Sequence, residues 1–266
     1  MLTFLRFLHS IHRYYKGAEM PQDLIEIQNL GFSYRQELAD ASPWRLVVDR
    51  FAIPHQSICR IIGGNMVGKT TLLRILAGLE DIPIMHETRL SGQLLISCNG
   101  KPEYRQLRLR NTFFLSHSDR MFPELTIWEN VIVARNCGLK KTAREAHDRF
   151  NHYIDKLKIL QDKADRIRLG ALSSGGQALI RLARAYTWGA ELIMIDEVTA
   201  HLDDNSAKAF FDHLKTLVQN GCSVVLVSHD RRDHELAECL SIPGTPIITA
   251  SIVLKDNVSC LTEHFS

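Results

Sequence analysis

The chain has 266 residues, of which 45% are hydrophobic and 23% charged, with a formal net charge of +2 at pH 7. These values fit one soluble globular domain, or a domain with a subdomain, and the charge does not call for nucleic acid or an anionic membrane as a partner. The six cysteines form no C-x-x-C pair, which is typical of a reduced, cytosolic chain without a structural zinc site.

Residues 1–21 are predicted to form an N-terminal extension. Within them, apolar residues are interrupted by Arg6, His9, His12 and Arg13, as in a short amphipathic helix. A secretory signal would carry its charge before an unbroken apolar core, and no apolar run of the chain approaches the roughly 18 residues that span a bilayer. We favour packing on the domain or fraying over docking to a membrane or partner.

Apolar runs further along the chain predict strands, at residues 24–27, 45–48, 57–62, 93–96, 192–195 and 223–227. Helical periodicity covers residue 126 to about 160, 178–186, and 210–218, where Gly221 ends the last helix. Thr126 and Glu129 have the spacing of a capping box at a helix start. The last two strands are continuously apolar and joined by a helix, which implies a parallel sheet buried on both faces.

The segment Gly63–Thr70 matches G-x-x-x-x-G-K-[ST], between a predicted strand and a predicted helix. In such a loop, backbone N–H groups wrap a phosphate chain, Lys69 reaches the terminal phosphates, and the Thr70 hydroxyl can hold Mg²⁺. The free N–H groups and the dipole of the following helix also favour anions. We therefore predict a phosphate site made of Gly63, Gly64, Asn65, Met66, Val67, Gly68, Lys69, Thr70 and Thr71.

Polar residues follow the two continuous apolar strands. Asp196 and Glu197 follow the first, where Asp196 could hold Mg²⁺ through water and Glu197 could orient or deprotonate an attacking water. His229 follows the second, and from a strand neighbouring the site it could reach the γ-phosphate. The sequence therefore predicts phosphate chemistry at the carboxyl ends of these two strands.

Residues 172–177, Leu-Ser-Ser-Gly-Gly-Gln, resemble the L-S-G-G-Q signature of the ATP-binding cassette family. Residues 182–185 are similar to the family's L-A-R-A helix, and residues 200–203 to its S-A-L-D turn. His229 occupies the position of the family's switch histidine, and Tyr34 lies where the family stacks an aromatic ring on adenine. Residues 122–131 resemble the segment that faces a transmembrane partner.

The resemblance implies an α/β fold: a P-loop NTPase (RecA-like) core with a mostly parallel sheet, an antiparallel β subdomain and a helical subdomain. We expect one domain over residues 22–266. Residues 22–115 and 173–245 would form the core with its β subdomain, residues 116–172 the helical subdomain, and residues 246–266 a C-terminal tail.

The resemblance also implies ATP and Mg²⁺ as cofactors and an active ATPase. Two ATP molecules would be buried between two head-to-tail domains, in a homodimer or a heterodimer with a second ATPase subunit. Separate transmembrane permease subunits would be the other partners, so the chain would be cytoplasmic and peripheral, with membrane contact only through them and no direct nucleic-acid contact. The implied catalytic residues are Glu197, His229 and Lys69. The implied metal ligands are Thr70, Asp196 and His117. The implied nucleotide contacts beyond the phosphate loop are Tyr34, Ser173, Ser174, Gly175, Gly176 and Asp203.

Four departures from the family's pattern carry expectations. Met66 replaces a residue that is usually glycine or serine, so its side chain must point outward. His117 holds the usual glutamine position, which would make activity depend on pH near 6.5. Val198 replaces the family's usual proline, and we expect this change to have only a minor effect on the backbone. The signature stretch is one residue longer than the family's L-S-G-G-Q. In the alignment that we prefer, Leu172 matches the family's leucine. In the other alignment, residues 174–177 are the true match.

Other classes of nucleotide-binding protein fit the sequence less well. A cassette ATPase that acts without a membrane, as in DNA repair or translation, usually carries a long coiled-coil insertion or two tandem cassettes, and the sequence has neither. A GTPase would need an N-K-x-D-like motif, and a kinase an acceptor-site lid, and we find neither. The sequence therefore favours the ATPase subunit of a membrane transporter.

Overall fold

The computed structural model describes most of the chain between residues 23 and 264. The ranges are 23–33, 46–77, 79, 89–98, 101–102, 112–116, 121–133, 143–157, 164–199, 202–227, 240, 245–255 and 258–264.

Ten strands of the described ranges form one mixed sheet. In chain order they are β1 (Asp23–Ser33), β2 (Leu46–Pro54), β3 (Ile58–Gly63), β4 (Arg89–Cys98), β5 (Lys101–Pro102), β6 (Thr112–Ser116), β7 (Leu192–Asp196), β8 (Ser223–Val227), β9 (Ile247–Lys255) and β10 (Val258–His264). Their order across the sheet is β5-β4-β1-β2-β10-β9-β3-β8-β7-β6.

The strands from β9 to β6 run parallel, and the sheet is covered on both faces there. In β7, Leu192 and Met194 enter one apolar core, while Ile193 and Ile195 enter the other. All four side chains are buried. This arrangement explains why the central strands are continuous apolar runs rather than alternating ones.

Antiparallel pairing joins β1 to β2 and β4, and β4 to β5. The parallel core, these antiparallel strands and the helices together confirm the predicted fold class.

The C-terminal residues correct the sequence analysis, which assigned 246–266 to a tail. Strands β9 and β10 form an antiparallel hairpin inside the sheet, where β9 pairs with β3 and β10 with β2. Polar residues within these strands hide the pattern, because Ser251 Oγ and Thr262 Oγ1 satisfy each other across the hairpin at 3.2 Å. The other domain limits remain predictions.

Five α-helices are described: α1 (Lys69–Leu76), α2 (Ile127–Val133), α3 (Ala143–Leu157), α4 (Ser174–Trp188) and α5 (Asp204–Gln219). A short 3-10 turn, Leu169–Ala171, precedes α4. The helical pattern from residue 126 to about 160 contains both α2 and α3, and residues 134–142 between them lie outside the described ranges. Within the described residues, no helix combines the length and the hydrophobicity that a bilayer-spanning segment needs.

The predicted capping box is confirmed at the start of α2. The Thr126 N–H donates to Glu129 Oε2 at 2.8 Å, and the Glu129 N–H donates to Thr126 Oγ1 at 3.2 Å. These bonds stabilise the ionised carboxylate, so the pKa of Glu129 lies below its ordinary value. At the other end of the helical region, Gly221 adopts φ 91° just after α5, as the sequence predicts for the residue that ends this helix.

Helices α2 and α3 pack on α4 through buried side chains. The Trp188 indole N–H donates to Val131 O at 2.7 Å, which joins the end of α4 to α2. Arg149 Nη2 donates to Tyr186 O at 2.8 Å and its guanidinium lies 5.0 Å from the Tyr186 ring centroid, which joins α3 to α4. The helix that begins with the signature stretch is therefore fixed at its far end.

Candidate functional site

The phosphate loop connects β3 to α1, as its motif predicts. Gly68 is the N-cap of α1 in a left-handed conformation, with φ 89°, and its carbonyl accepts the first helical hydrogen bond from the Leu72 N–H at 2.9 Å. A Cβ atom at Gly63 would lie 2.6 Å from Ile252 O, so the loop approaches the backbone of β9 too closely for any other residue there.

Met66 has the outward orientation that the sequence predicts. Its side chain is 100% exposed, and its backbone has φ 60°. A left-handed backbone costs a residue with a Cβ about 1–2 kcal/mol relative to the right-handed form. The loop therefore keeps its shape despite a residue that favours another conformation.

Lys69 is folded back into the loop. Its ammonium group donates to Gly63 O at 3.1 Å and to Gly64 O at 2.6 Å, and the residue is only 4% exposed. Burial lowers the pKa of Lys69, while the nearby carboxylates of Glu197 and Asp196 act in the opposite direction. A cation is thus held inside a loop whose N–H groups can bind anions.

Thr70 of the phosphate loop and Asp196 at the end of β7, both predicted metal ligands, contact each other. Thr70 Oγ1 donates to Asp196 Oδ1 at 3.1 Å, although the residues are 126 positions apart in sequence. Asp196 is 8% exposed, at the carboxyl end of β7. Hard oxygen donors of this kind, one hydroxyl and one carboxylate, suit Mg²⁺, which keeps several waters and also binds phosphates. The pair therefore fits the implied ion.

Glu197 leaves the strand in an unusual conformation. Its backbone has φ 54°, and its N–H donates to Val227 O of β8 at 3.1 Å. Left-handed backbone at a residue with a Cβ is uncommon and is often found at functional sites. The carboxylates of Glu197 and Asp196 are both close enough to Lys69 to act on its pKa.

The signature stretch begins α4. Ser173 is the N-cap, and its Oγ accepts from the Gly176 N–H at 3.2 Å. This cap places the serine that follows Leu172 at the helix start, and the register of the signature remains a prediction. A Cβ at Gly175 would lie 2.7 Å from the Cβ of Ser206, so the first turns of α4 and α5 touch.

Asp203 has a local role that the sequence analysis missed. It is the N-cap of α5: Oδ1 accepts from the Ser206 N–H at 3.0 Å, and Oδ2 from the Ser206 hydroxyl at 2.6 Å. These bonds lower the pKa of Asp203. The spacing of Asp203 and Ser206 before a helical run was the available signal. Its predicted nucleotide contact remains a prediction.

Three predicted site residues, Tyr34, His117 and His229, lie outside the described residues. The strands that precede the last two are placed: β6 ends at Ser116 and β8 at Val227, and both residues pair with Asp196 of β7. The structure thus brings together Lys69, Thr70, Asp196 and Glu197 from the predicted set. Ser173–Gly176 and Asp203 lie instead where α4 meets α5.

Asn130 is a second residue that sequence reasoning missed. Its side chain is 1% exposed and holds the segment 121–126 in place. Its Nδ2 donates to Phe122 O at 2.8 Å and to Thr126 O at 3.0 Å, and its Oδ1 accepts from the Phe122 N–H at 2.8 Å. The Phe122 side chain stays 51% exposed. The resemblance of residues 122–131 marked the segment, but it did not indicate that Asn130 turns inward to hold it.

Comparison with known proteins gives one consistent family. The family model described as "ABC transporter" matches residues 48–200. The lipoprotein-releasing system ATP-binding protein LolD of Aquifex aeolicus (strain VF5) is 37% identical over 178 residues, which cover 67% of this chain and 76% of that protein. The glutamine transport ATP-binding protein GlnQ of Bacillus subtilis (strain 168) is 30% identical over 170 residues, which cover 64% and 68%.

Two solved structures share the fold. CbiO1 from Clostridium perfringens, described as part of the ABC transporter complex CbiONQ, aligns with a TM-score of 0.67 at 17% identity, over 90% of this chain and 87% of that one. The ADP conformation of MJ1267, an ATP-binding cassette of an ABC transporter, aligns with a TM-score of 0.67 at 17% identity, over 92% of both chains.

Proposed function

The chain belongs to the ABC transporter family, and from this we infer that it binds and hydrolyses ATP to power a membrane transporter. The observation that carries this function is the arrangement of Lys69, Thr70, Asp196 and Glu197 around the start of α1. This arrangement contains a phosphate cradle, a cation, a magnesium-type oxygen pair and a candidate base, Glu197, close to that cation. Together these are the parts that phosphoryl transfer to water requires.

Each residue has a defined task in hydrolysis. The Lys69 ammonium group exchanges the carbonyl oxygens of Gly63 and Gly64 for the oxygens of the terminal phosphates. Glu197 orients a water molecule and takes its proton as the oxygen attacks the γ-phosphorus, and the bond to the ADP oxygen breaks to give ADP and phosphate. Thr70 and Asp196 would hold Mg²⁺, which neutralises phosphate charge when bound.

Hydrolysis is proposed to occur between two subunits. The backbone N–H groups of Ser174 and Gly175 lie at the start of α4, a helix of 15 residues, and such a helix start is favourable for an anion. We expect this turn to meet the γ-phosphate held by a second ATPase subunit, identical or related. ATP would then hold the dimer closed, and its hydrolysis would open it.

The permease partner is proposed to dock on the segment 121–126. Asn130 holds the backbone of this segment while the Phe122 ring stays exposed, which suits a site for an apolar side chain of a partner. A cytoplasmic position on the membrane face, with contact only through the permease, follows from such docking. The transported substrate would contact the permease rather than this chain.

The function is tested with Glu197→Gln. We expect ATP binding to persist, a stable ATP-dependent dimer in size-exclusion chromatography, and phosphate release slowed about 10²–10⁴-fold. Glu191→Gln is the matched control, because Glu191 precedes the opposite end of the same strand and is exposed. Hydrolysis by Glu197→Gln at the rate of the unmodified protein would refute the role of Glu197.

The transporter role needs a separate experiment. Expressed with its genomic neighbours, the protein should co-purify with an integral membrane protein, and Phe122→Ser should weaken that association while ATP-dependent dimerisation persists. Recovery with a soluble or nucleic-acid partner and no membrane protein would refute the transporter role and favour a cassette ATPase of another kind.

A further inference from the structure

The β9–β10 hairpin forms a wall beside the phosphate loop. A Cβ atom at Gly63 would lie 2.6 Å from Ile252 O of β9, and one at Gly68 would lie 3.9 Å from Ser259 Oγ of β10. In the sheet, β3 lies between β9 and β8, and β7, which ends in Asp196, lies beyond β8. The hairpin is therefore on the side of the loop opposite to the catalytic carboxylates.

One face of this hairpin continues past the core as exposed apolar surface. Ala250 and Ile252 are buried in the core that α1 covers, and alternation along β9 places Leu254 on the same face. Leu254 is 55% exposed and pairs directly with Ser259 in the register of the hairpin. Directly paired antiparallel residues have Cα atoms about 4.5–5.5 Å apart. Leu254 is thus one cross-strand step from the residue beside Gly68.

The positions of the reacting groups decide where each end of a nucleoside triphosphate lies. The terminal phosphate belongs beside Lys69 and Glu197, over the end of β7. The phosphate chain then crosses the start of α1. Because the sheet order puts β9 and β10 on the other side of β3, the nucleoside emerges over the hairpin.

We propose that Leu254 forms an apolar subsite for the nucleoside half of bound ATP. This inference rests on the ATP-binding function proposed above and adds a residue to it from a segment that the sequence assigned to a tail. Leucine offers dispersion contacts to the base and the ribose and excludes water from them, but it makes no hydrogen bond that would identify the base. The subsite therefore does not select one base over another, but it distinguishes a nucleotide from an inorganic polyphosphate.

The test compares ATP with inorganic tripolyphosphate, each titrated with Mg²⁺ into the full chain by calorimetry. We expect Leu254→Ser to weaken ATP binding about three- to ten-fold, because it removes an apolar contact of partial burial, and to leave tripolyphosphate binding unchanged. Leu254→Met should bind ATP like the unmodified chain. Val253→Ser is the matched control, since Val253 is 44% exposed on the opposite face of the same strand, and both of its affinities should be unchanged.

The outcomes separate this inference from the function on which it rests. If the unmodified chain binds no ATP, the proposed function fails. If it binds ATP and Leu254→Ser binds it equally well, the subsite is wrong. An equal loss of ATP and tripolyphosphate would also overturn the subsite, because the substitution would then act through the phosphate loop.

Discussion

Replacing Asn130 should reduce the stability of the chain more than replacing most other polar residues would. An amide nitrogen has two protons, so the Nδ2 contacts at 2.8 Å to Phe122 O and 3.0 Å to Thr126 O are full hydrogen bonds, and the 3.3 Å contact to Leu125 O shares a proton. The Oδ1 bond to the Phe122 N–H is the third full bond. At about 0.5–1.5 kcal/mol for each, we expect Asn130→Ala to cost about 2–4 kcal/mol.

Asn130→Asp should add a pH dependence. The isosteric carboxyl keeps the bond to the Phe122 N–H but faces the carbonyl oxygens of Phe122 and Thr126, and both this and burial raise its pKa above the ordinary value of about 3.9. The unfolded chain then loses this proton at lower pH than the folded chain. The free energy of unfolding therefore falls as the pH rises between the two pKa values, and the variant should be least stable near pH 8.

Urea unfolding between pH 5 and 8 measures both effects. Asn205→Asp is the control, because Asn205 is exposed on the first turn of α5 and its replacement should change stability by less than about 0.5 kcal/mol. If Asn130→Ala changes the free energy of unfolding by less than this amount, the hydrogen bonds of Asn130 do not stabilise the chain as proposed. The proposed role of Asn130 is refuted equally if Asn130→Asp has the same pH dependence as the unmodified chain.

Further substitutions test other parts of the structure. Lys69→Ala should weaken ATP binding about 10–100-fold in calorimetry, because it removes a charged donor to phosphate; unchanged affinity would contradict this role. Met66→Gly should raise the free energy of unfolding in urea by about 0.5–1 kcal/mol, because the strain energy that it relieves exceeds the entropic cost of ordering a glycine backbone. A loss of stability would show that Met66 is not strained. Gly175→Ala should reduce ATPase activity through contact with Ser206, and adding Ser206→Gly should recover part of it, whereas no recovery would exclude this contact as the cause. Trp188→Phe should cost about 1–3 kcal/mol in urea unfolding through its lost 2.7 Å hydrogen bond, and an unchanged midpoint would contradict that value.

The sequence by itself predicted the features whose residues are close together in the chain. The phosphate loop follows from glycine, lysine and threonine at fixed spacing between a strand and a helix, and the structure has that strand and helix as β3 and α1. The capping box at Thr126 and Glu129 needs only neighbours within one helical turn, so its spacing predicted it. The runs that became β7 and β8 were recognisable because strands buried on both faces leave no room for polar residues.

Only the tertiary structure decided which distant residues meet. The hydrogen bond between Thr70 and Asp196 joins two motifs that the sequence could recognise but not place at a distance. Asn130 reads as an ordinary helix residue, and its importance comes from turning inward to the carbonyl oxygens of the segment 121–126. The β9–β10 hairpin was missed because its polar side chains hydrogen-bond each other inside the sheet, and its partners β2 and β3 lie some two hundred residues earlier in the chain. Motifs depend on neighbours in sequence, whereas strand pairing depends on surfaces that form only when the chain is folded.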